Sequence, residues 1–362
     1  MIKRNLDSIQ FLRAVAVLLV VFFHYRFDLS YFITNSATLF FNGSIGVDLF
    51  FVISGFIIYF VTDNNKSGFN ASISFIFKRV IRVMPPYFIM TMVFVYFGGY
   101  SIDNLMNSLL FLPSTTSEAP FYGYPSLVVG WSLNYEIYFY LAAFIGILAF
   151  KNKKWLFVTL GIMTIIITPA IVKGNLLLSS TFNYGIKSAY LSMITNSIII
   201  DFVFGVLCGW ITKNVTFSSK IVVSLSIISI FFFTAVYFIG FRSEHGPILW
   251  GFASFMLVLS FVELEKKQLI YIPKTMTAIG DISFSIYLIH IPVLVWSHYI
   301  FNNTYPLYSL EHKGIYISAL SIILTCLGSI VYYIVIEKGL CNALRSYLTV
   351  VASYLYKKMA LQ

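Results

Sequence analysis

The sequence predicts an all-α fold, a polytopic membrane bundle of about ten transmembrane helices. Of its 362 residues 59% are hydrophobic and 10% are charged, and the mean hydropathy is +0.86. These values are far from those of soluble globular domains, and apolar runs long enough to cross a bilayer recur along the chain. The predicted spans lie near residues 9–26, 44–62, 80–100, 130–150, 155–172, 190–212, 219–240, 246–262, 282–300 and 314–337.

The basic residues predict the orientation of this bundle, because cytoplasmic segments of membrane proteins are enriched in Lys and Arg. With ten spans and a cytoplasmic N-terminus, 19 of the 24 Lys and Arg residues lie on the cytoplasmic side. We therefore expect both termini in the cytoplasm, and we attribute the net charge of +10 to this asymmetry rather than to a nucleic-acid partner. The basic residues on the outer side are Arg26, Lys173, Lys187, Arg242 and Lys313.

The first span, which includes LRAVAVLLVVFFHY over residues 12–25, carries Arg13 and His24. Ionisable groups inside a membrane are costly, so each is a candidate functional residue. Their separation corresponds to just over three helical turns and a rise of roughly 16 Å. Both side chains should therefore share one face, Arg13 towards the cytoplasm and His24 towards the outer side. The alternative is an arginine that reaches the inner headgroups and a histidine satisfied at the outer interface.

Two carboxylates fall in the outer halves of predicted spans. Asp48 begins the second span within GSIGVDLFFVISGF, and Glu136 lies in the fourth span within GWSLNYEIYFY. Together with His24 they could supply a general base and the group that orients it. The alternative is that each carboxylate makes a separate polar contact between helices.

The segment FKRVIRVMPPYF places Arg79 and Arg82 three residues apart, on one helical face at the cytoplasmic side. Paired guanidinium groups suit phosphate, because each offers several donors in a planar fork. We expect Pro85 and Pro86 to interrupt the helix directly after them. The alternative for the arginines is ordinary retention of positive charge on the cytoplasmic side.

Three further ionisable residues are predicted within or at the ends of spans: His290, Asp201 and Glu337. For Asp201 and Glu337 we favour a role as buried hydrogen-bonding struts. For His290 that role stays open, and it is also a candidate for substrate binding or support of the site. The longest outer connection, residues 101–129, contains three prolines and many small polar residues, which indicates an ordered or lid-like loop. The cysteines have no paired or metal-like spacing and are expected to be packing residues: Cys208, Cys326 and Cys341.

In order along nearly the whole chain, six segments resemble the membrane-bound acyltransferase family 3. They are LRAVAVLLVVFFH, GVDLFFVISGFII, KRVIRVMPPYF, GWSLNYEIYFYL, GDISFSIYLIHIPVL and YYIVIEKGL. The first and fourth are most similar to the branch that O-acetylates bacterial exopolysaccharide and O-antigen. The resemblance implies an acyltransferase domain over residues 1–345 and a short cytoplasmic tail over 346–362. One departure is Gly339 after Lys338, where the family often has proline.

The resemblance implies an enzyme of the bacterial inner membrane that moves an acetyl group from cytoplasmic acetyl-CoA to a sugar hydroxyl. The acceptor would be a surface polysaccharide, namely O-antigen, capsule or exopolysaccharide, or its lipid-linked precursor. His24 would be catalytic with Arg13 as its partner, and Arg79 and Arg82 would help to hold the CoA donor. No metal is implied. The positions that match the surroundings of the reaction centre are Asp48, Trp131, Ser132 and Glu136.

The depths of the charges suggest how such a donor would bind. The CoA phosphates would stay at the cytoplasmic face near Arg79, Arg82 and Arg13, because burying several negative charges further in is prohibitive. The thin pantetheine arm would reach inward to His24, over a distance similar to its own extended length.

The same residues suggest the chemistry. His24 would act as general base, with Asp48 or Glu136 holding its imidazole, or it would carry the acetyl group itself. Ser132 or Trp131 would stabilise the oxyanion.

A different class of protein also fits some of these features. Buried Arg, His and acidic residues line the routes of transporters, so a transporter or flippase for lipid-linked sugars is the alternative function. Transporters are often built from repeats, and no internal repeat is visible in this sequence. The sequence identifies neither the acceptor sugar, nor acetyl as opposed to succinyl transfer, nor the oligomeric state.

Overall fold

A computed structural model describes residues 6–62, 66–97, 104–151, 153–174, 178–239, 244–304 and 310–348. Within these residues the chain is helical without strands, and ten helices are long and apolar enough to cross a membrane. The predicted all-α bundle of ten spans is confirmed, while the side on which its termini lie stays a prediction. The ten helices are α1 (Asp7–Tyr25), α2 (Ile45–Thr62), α3 (Phe69–Tyr96), α4 (Gly130–Ala149), α5 (Lys154–Val172), α6 (Ile200–Asn214), α7 (Ser219–Ile239), α8 (Phe252–Lys266), α9 (Ser283–Thr304) and α10 (Leu310–Tyr332).

Parts of several predictions lie outside the described residues. Examples are residues 98–100 of the third predicted span, residues 101–103 of the outer connection, Arg242 among the outer basic residues, and residues 349–362 of the tail.

Helix α3 differs from its prediction at its start and at its prolines. It begins at Phe69 rather than near residue 80, and it continues through Pro85 and Pro86. The prediction that these prolines interrupt the helix is therefore wrong. Proline keeps a φ angle that a helix accepts, although it lacks an N–H donor and its ring crowds the carbonyl four residues earlier. Prolines are tolerated in membrane helices where the surrounding protein compensates for the freed carbonyl. The Tyr332 hydroxyl donates a hydrogen bond to the Pro86 carbonyl and so ties this part of α3 to α10.

The sixth and tenth spans also depart from the predicted limits. A short helix, Ala189–Ile194, and a 3-10 turn, Ser197–Ile199, precede α6. The span starts with this turn at Ser197, about seven residues after the predicted 190. At the other end of the chain, a π-helix, Tyr333–Leu340, follows α10 directly. Gly339 lies inside this π-helix, so the missing proline leaves the last helix continuous.

Helices α2 and α6 approach each other closely because both carry glycine at their contact. A Cβ atom on Gly55 would lie 2.1 Å from the Phe202 carbonyl oxygen, and a Cβ atom on Gly205 would lie 2.1 Å from the Val52 carbonyl oxygen. Small residues let the backbones of membrane helices come together. This contact fixes the rotation of α2 about its own axis. It therefore also fixes the direction in which Asp48, in the first turn of α2, points.

The outer faces of several helices are apolar and exposed, as expected for contact with lipid. On α10 the exposed side chains include Ile323, Leu327 and Ile330. Cys326 lies among them and is exposed, so the prediction of a packing role is wrong for this residue. The other two cysteines are buried: Cys208 and Cys341.

Gly205→Val is expected to destabilise the protein by roughly 2 kcal/mol or more, because overpacking a tight contact forces helices apart. The measurement is the free energy of unfolding in detergent micelles. Gly161→Val is the matched control, since Gly161 lies in α5 and an added Cβ atom there would have no heavy atom of another described helix within 4 Å. Equal stability of the two variants would contradict the close α2–α6 contact.

Candidate active site

Three arginines from two helices meet near the end of the bundle where α1 begins. Arg13 in α1 is only 8% exposed, and its Nη1 donates to Gln10 Oε1 at 3.0 Å. Arg79 and Arg82 lie about one turn apart in α3. All three arginines line the same two adjoining cavities. The positions of these three arginines in the sequence predict that they lie together at one end of the bundle, and in the structure they do.

The two cavities form a passage from the end of the bundle towards its interior. One, of about 220 Å³, has Leu6 and Val61 on its wall at the end of the bundle. The other, of about 90 Å³, leads from the arginines to Ser132 of α4 and Tyr287 of α9. Its remaining wall is mostly apolar, so the passage suits a thin chain whose charged end stays at the arginines. The apolar lining includes Val47, Phe50, Phe51, Ile53, Ile57, Ile58, Val83, Leu133 and Phe284.

Glu136 belongs to the wall of this inner cavity. Its Oε1 accepts a hydrogen bond from Ser54 Oγ at 3.2 Å and another from the Tyr140 hydroxyl. The same cavity is lined by Arg79 and Arg82. The expectation that Glu136 holds the His24 imidazole is not met. Glu136 lies six residues after Gly130, the start of α4, and this position places its carboxylate beside the arginines rather than beside His24.

His24 is half-buried near the opposite end of α1, and its ring contacts a second histidine. Its Nδ1 lies 2.9 Å from the Val20 carbonyl oxygen and 3.2 Å from His290 Nε2. A carbonyl oxygen only accepts hydrogen bonds, so the hydrogen of a neutral His24 ring belongs on Nδ1. This tautomer leaves Nε2 of His24 with a free lone pair, as a general base requires.

His290 connects His24 to the inner end of the cavity. The Tyr25 hydroxyl donates to its backbone carbonyl at 2.8 Å, and the Tyr287 ring lies one helical turn before it, with ring centroids 5.9 Å apart. The Tyr287 hydroxyl and Ser132 Oγ are 2.8 Å apart, and both line the cavity. The residues that line the cavity in the described part of the chain do not include His24. Neighbouring side chains therefore lead from the cavity to His24, in the order Ser132, Tyr287, His290 and His24.

Asp48 pairs with His245, a histidine that is not among the predicted site residues. Its Oδ2 lies 2.7 Å from His245 Nδ1, and its Oδ1 accepts from the Gly246 amide at 2.7 Å. Asp48 is fully buried. The expectation that Asp48 orients His24 is therefore wrong. His245 stands in a predicted outer loop just before a span, where no pattern in the sequence signals a buried partner.

Trp131 lies on the His245 side of α4, away from Ser132 and the cavity. Its ring centroid is 5.3 Å from that of His245 and 4.8 Å from that of Phe121. Phe121 belongs to the outer connection, of which residues 104–129 are described, and this part is anchored by a hydrogen bond of 2.7 Å from the Tyr135 hydroxyl to the Pro120 carbonyl. The two adjacent residues Trp131 and Ser132 thus serve different sites, and an oxyanion role for Trp131 gains no support.

The two predicted struts occupy different places. Glu337 lies on the π-helix, and its Oε1 accepts a hydrogen bond from Ser285 of α9, so it does connect two helices. Asp201 is fully buried near the start of α6. Its carboxyl group lies against Gly251, where a Cβ atom would come within 1.9 Å of Oδ1.

Comparison with known proteins indicates the family. Residues 6–334 match a family model described as an acyltransferase domain. The chain is 28% identical over 260 residues to the exopolysaccharide production protein ExoZ of Rhizobium meliloti, which covers 68% of this chain and 75% of ExoZ. It is 25% identical over 338 residues to the peptidoglycan O-acetyltransferase OatA of Listeria monocytogenes, which covers 84% of this chain but only 52% of OatA. No solved structure matches the chain.

Asp48→Ala is expected to lower stability, because the His245 ring and the Gly246 amide would lose their common acceptor. A buried donor without a partner costs roughly 1–3 kcal/mol. The measurement is the denaturant midpoint in detergent micelles, beside Asp48→Asn, which keeps one acceptor oxygen and is expected to lose less. An Asp48→Ala variant as stable as the unsubstituted protein would refute these hydrogen bonds.

Proposed function

This chain belongs to the acyltransferase family whose model matches residues 6–334, and from that premise we propose that it is a membrane O-acetyltransferase of a bacterial inner membrane. Its donor is cytoplasmic acetyl-CoA, and its acceptor is a sugar hydroxyl of a surface polysaccharide or of the lipid-linked precursor. The relatives support this choice, since one is named for exopolysaccharide production and the other for O-acetylation of peptidoglycan. Candidate acceptors are O-antigen, capsule and exopolysaccharide.

The observation that carries the proposal is the passage that starts at three arginines. Arg13, Arg79 and Arg82 offer many N–H donors to the phosphate groups of CoA. Beyond them the wall is mostly apolar, which suits the uncharged pantetheine arm. In this proposal the phosphates stay at the arginines while the thioester enters the bundle.

The length of the passage supports the same assignment. Arg13 and His24 are separated by a rise of roughly 16 Å along α1, which is about half the hydrocarbon thickness of a bilayer. A thioester at Ser132 and Tyr287 lies about one helical turn of α9 from His290, and His290 contacts His24. The donor and the acceptor would therefore reach the reaction centre from opposite sides of the membrane.

We assign the general base to His24. Its Nε2 takes the proton of the sugar hydroxyl while the sugar oxygen attacks the thioester carbonyl carbon. The tetrahedral intermediate then collapses, the carbon–sulfur bond breaks, and the leaving thiolate takes the proton back from His24. The products are the sugar acetyl ester and free CoA.

The negative oxygen of the intermediate needs a hydrogen-bond donor. The hydroxyls of Ser132 and Tyr287 are available at the inner end of the cavity. One hydroxyl can donate to the Val129 carbonyl, which lies 3.2 Å from Ser132 Oγ and 3.1 Å from the Tyr287 hydroxyl. The other is then free to turn towards the oxyanion.

Trp131 and Asp48 support the outer side of the centre in this proposal. Together with His245 and Phe121 they form a packed aromatic and polar layer next to the first turns of α2 and α4. Aromatic rings suit the apolar faces of sugars, so the acceptor is expected to approach along this layer.

His24→Ala is expected to lower acetyl transfer at least about a hundredfold, since it removes the general base. The variant is expressed in a strain that lacks the chromosomal gene, and O-acetyl signals of the surface polysaccharide are measured by NMR. Spectra of the deletion strain and its parent identify which polysaccharide carries the acetyl group.

His298→Ala is the matched control for that experiment. His298 lies on α9 beyond His290 and pairs with Asp28 at 2.9 Å, so its loss should leave acetylation nearly unchanged. Normal O-acetyl signals with His24→Ala, at wild-type protein level in the membrane, would overturn the assignment of His24.

Arg79→Ala combined with Arg82→Ala is expected to raise the apparent KM for acetyl-CoA at least about tenfold, because charge-assisted hydrogen bonds to phosphate are lost. The measurement uses radiolabelled acetyl-CoA and inverted membrane vesicles. Lys78→Ala serves as the control, since Lys78 is exposed on the same helix outside both cavities. An unchanged KM in the double variant would show that the donor binds elsewhere.

A further inference from the structure

Arg26 follows the last residue of α1 and stands two positions after His24, at the end of the bundle opposite Arg13. Among the described residues it is the one arginine at that end. The three arginines of the passage lie at the other end, where the donor is expected to bind. No step of the proposed acetyl transfer uses Arg26.

The guanidinium group of Arg26 is turned back onto the last turn of α1. Its Nη1 donates a hydrogen bond to the Phe23 carbonyl, and its Cζ lies 4.2 Å from the centroid of the Phe23 ring. An arginine that serves only as a membrane anchor extends its charged group to the water. Arg26 instead keeps its charge against the end of the helix, in a fixed position that a ligand can meet.

Phe23 places this charge close to the proposed general base, because its ring contacts both side chains. The centroids of the His24 and Phe23 rings are 4.9 Å apart and Arg26 Cζ is 4.2 Å from the Phe23 centroid, so the His24 ring and the guanidinium are at most about 9 Å apart. One or two sugar rings span such a distance. A single acceptor molecule can therefore contact both His24 and Arg26.

The charge of Arg26 has no acidic partner among the described residues. Asp28, two positions further along the chain, pairs instead with His298 at 2.9 Å. In the described part of the chain Arg26 Nε is buried and has no hydrogen-bond partner. A buried donor without a partner is costly, and a guanidinium group binds oxyanions through several N–H donors. Arg26 is therefore suited to an oxyanion that comes from a ligand.

Aromatic rings surround the guanidinium group and are open to the outside of the bundle. The ring centroid of Phe27 lies 4.3 Å from Arg26 Cζ, and that of Phe41 lies 6.0 Å from it. Phe27 is 62% exposed and Phe41 is 51% exposed. Exposed aromatic faces suit the apolar faces of sugar rings. A cation framed by such rings fits a sugar that carries a negative charge.

The proposed chemistry also favours an anionic acceptor. His24 becomes a cation when it takes the proton of the sugar hydroxyl, and the nearby charge of Arg26 repels that cation. Among the described residues no carboxylate is hydrogen-bonded to the ring of His24 or of His290. An anionic group held at Arg26 would offset the repulsion and stabilise the His24 cation while it exists.

We propose that Arg26 binds a negatively charged group of the acceptor, a carboxylate or a phosphate, close to the hydroxyl that His24 activates. This inference rests on the proposed acetyl transfer and adds a property of the acceptor, namely a negative charge within one or two sugar rings of the acetylated hydroxyl. A uronic acid supplies such a carboxylate, and a lipid-linked precursor supplies such a phosphate.

The test measures acetyl transfer from radiolabelled acetyl-CoA by the full-length protein in nanodiscs, where both faces are accessible. The acceptor is the unacetylated lipid-linked precursor from the deletion strain. It is used intact, after reduction of its carboxylates to alcohols, after mild acid has removed the lipid phosphate, and after both treatments. The single treatment that lowers kcat/KM of the unsubstituted protein identifies the group that Arg26 binds.

Arg26→Gln is expected to lower kcat/KM for the intact acceptor at least about tenfold, because charge-assisted hydrogen bonds are lost. The KM for acetyl-CoA should stay unchanged, since the donor binds at the other end of the bundle. Glutamine can still donate to the Phe23 carbonyl, so the loss reports the charge. Arg26→Lys keeps the charge and is expected to recover part of the activity. Lys173→Gln is the matched control, because Lys173 is exposed at the same end of the bundle, directly after α5.

Three results would overturn the proposal. Unchanged kcat/KM of Arg26→Gln for the intact acceptor would place the acceptor elsewhere. An equal loss with the intact acceptor and with the acceptor that lacks both groups would mean that Arg26 only supports the fold. Full activity of the unsubstituted protein on the acceptor that lacks both groups would show that no charge is needed. If the unsubstituted protein acetylates none of the four acceptors, the proposed function is wrong, and the role of Arg26 with it.

Discussion

A charged group inside a bilayer must have a polar partner or a connection to water, and this constraint determines how the bundle is arranged. Asp48 has His245 and the Gly246 amide, and Glu337 has Ser285. Lys154 has backbone carbonyls. The arginines instead line cavities that lead to the end of the bundle. Asp48, Glu337 and Lys154 thus hold separate segments together, whereas the arginines, which face a cavity, are available to a ligand.

Helix α2 separates these two kinds of site. Asp48 and Ser54 are six residues apart, so they differ by about 240° around the helix axis. Asp48 faces His245, while Ser54 lines the inner cavity and donates to Glu136. The close contact of Gly55 with α6 fixes the rotation that makes both assignments possible. A change at this glycine contact would therefore disturb both sites.

The sequence predicted the features that depend on a single helix and failed where two helices must be oriented against each other. The ten spans follow from apolar runs, and the pairing of Arg79 with Arg82 follows from their spacing on α3. The partner of Asp48 could not be found in this way, because His245 is 197 residues away and a rotation of α2 by one residue would turn Asp48 by about 100°. The same limit explains the error at Pro85 and Pro86. Local propensity predicts a break there, whereas α3 continues through both prolines within the packed bundle.

The partners of His24 bear on the proposed mechanism. In serine hydrolases a carboxylate holds the catalytic histidine and stabilises its cation, but the hydrogen-bond partners of His24 among the described residues are the Val20 carbonyl and His290. His290 Nδ1 lies 3.2 Å from the Ile286 carbonyl oxygen, so its hydrogen belongs there and its Nε2 accepts from His24. Both rings are then held as defined neutral tautomers, and no carboxylate of the described residues is hydrogen-bonded to either ring. A His24 cation formed in such a place has little stabilisation of its own, which favours rapid return of the proton to the leaving thiolate over a long-lived charged intermediate.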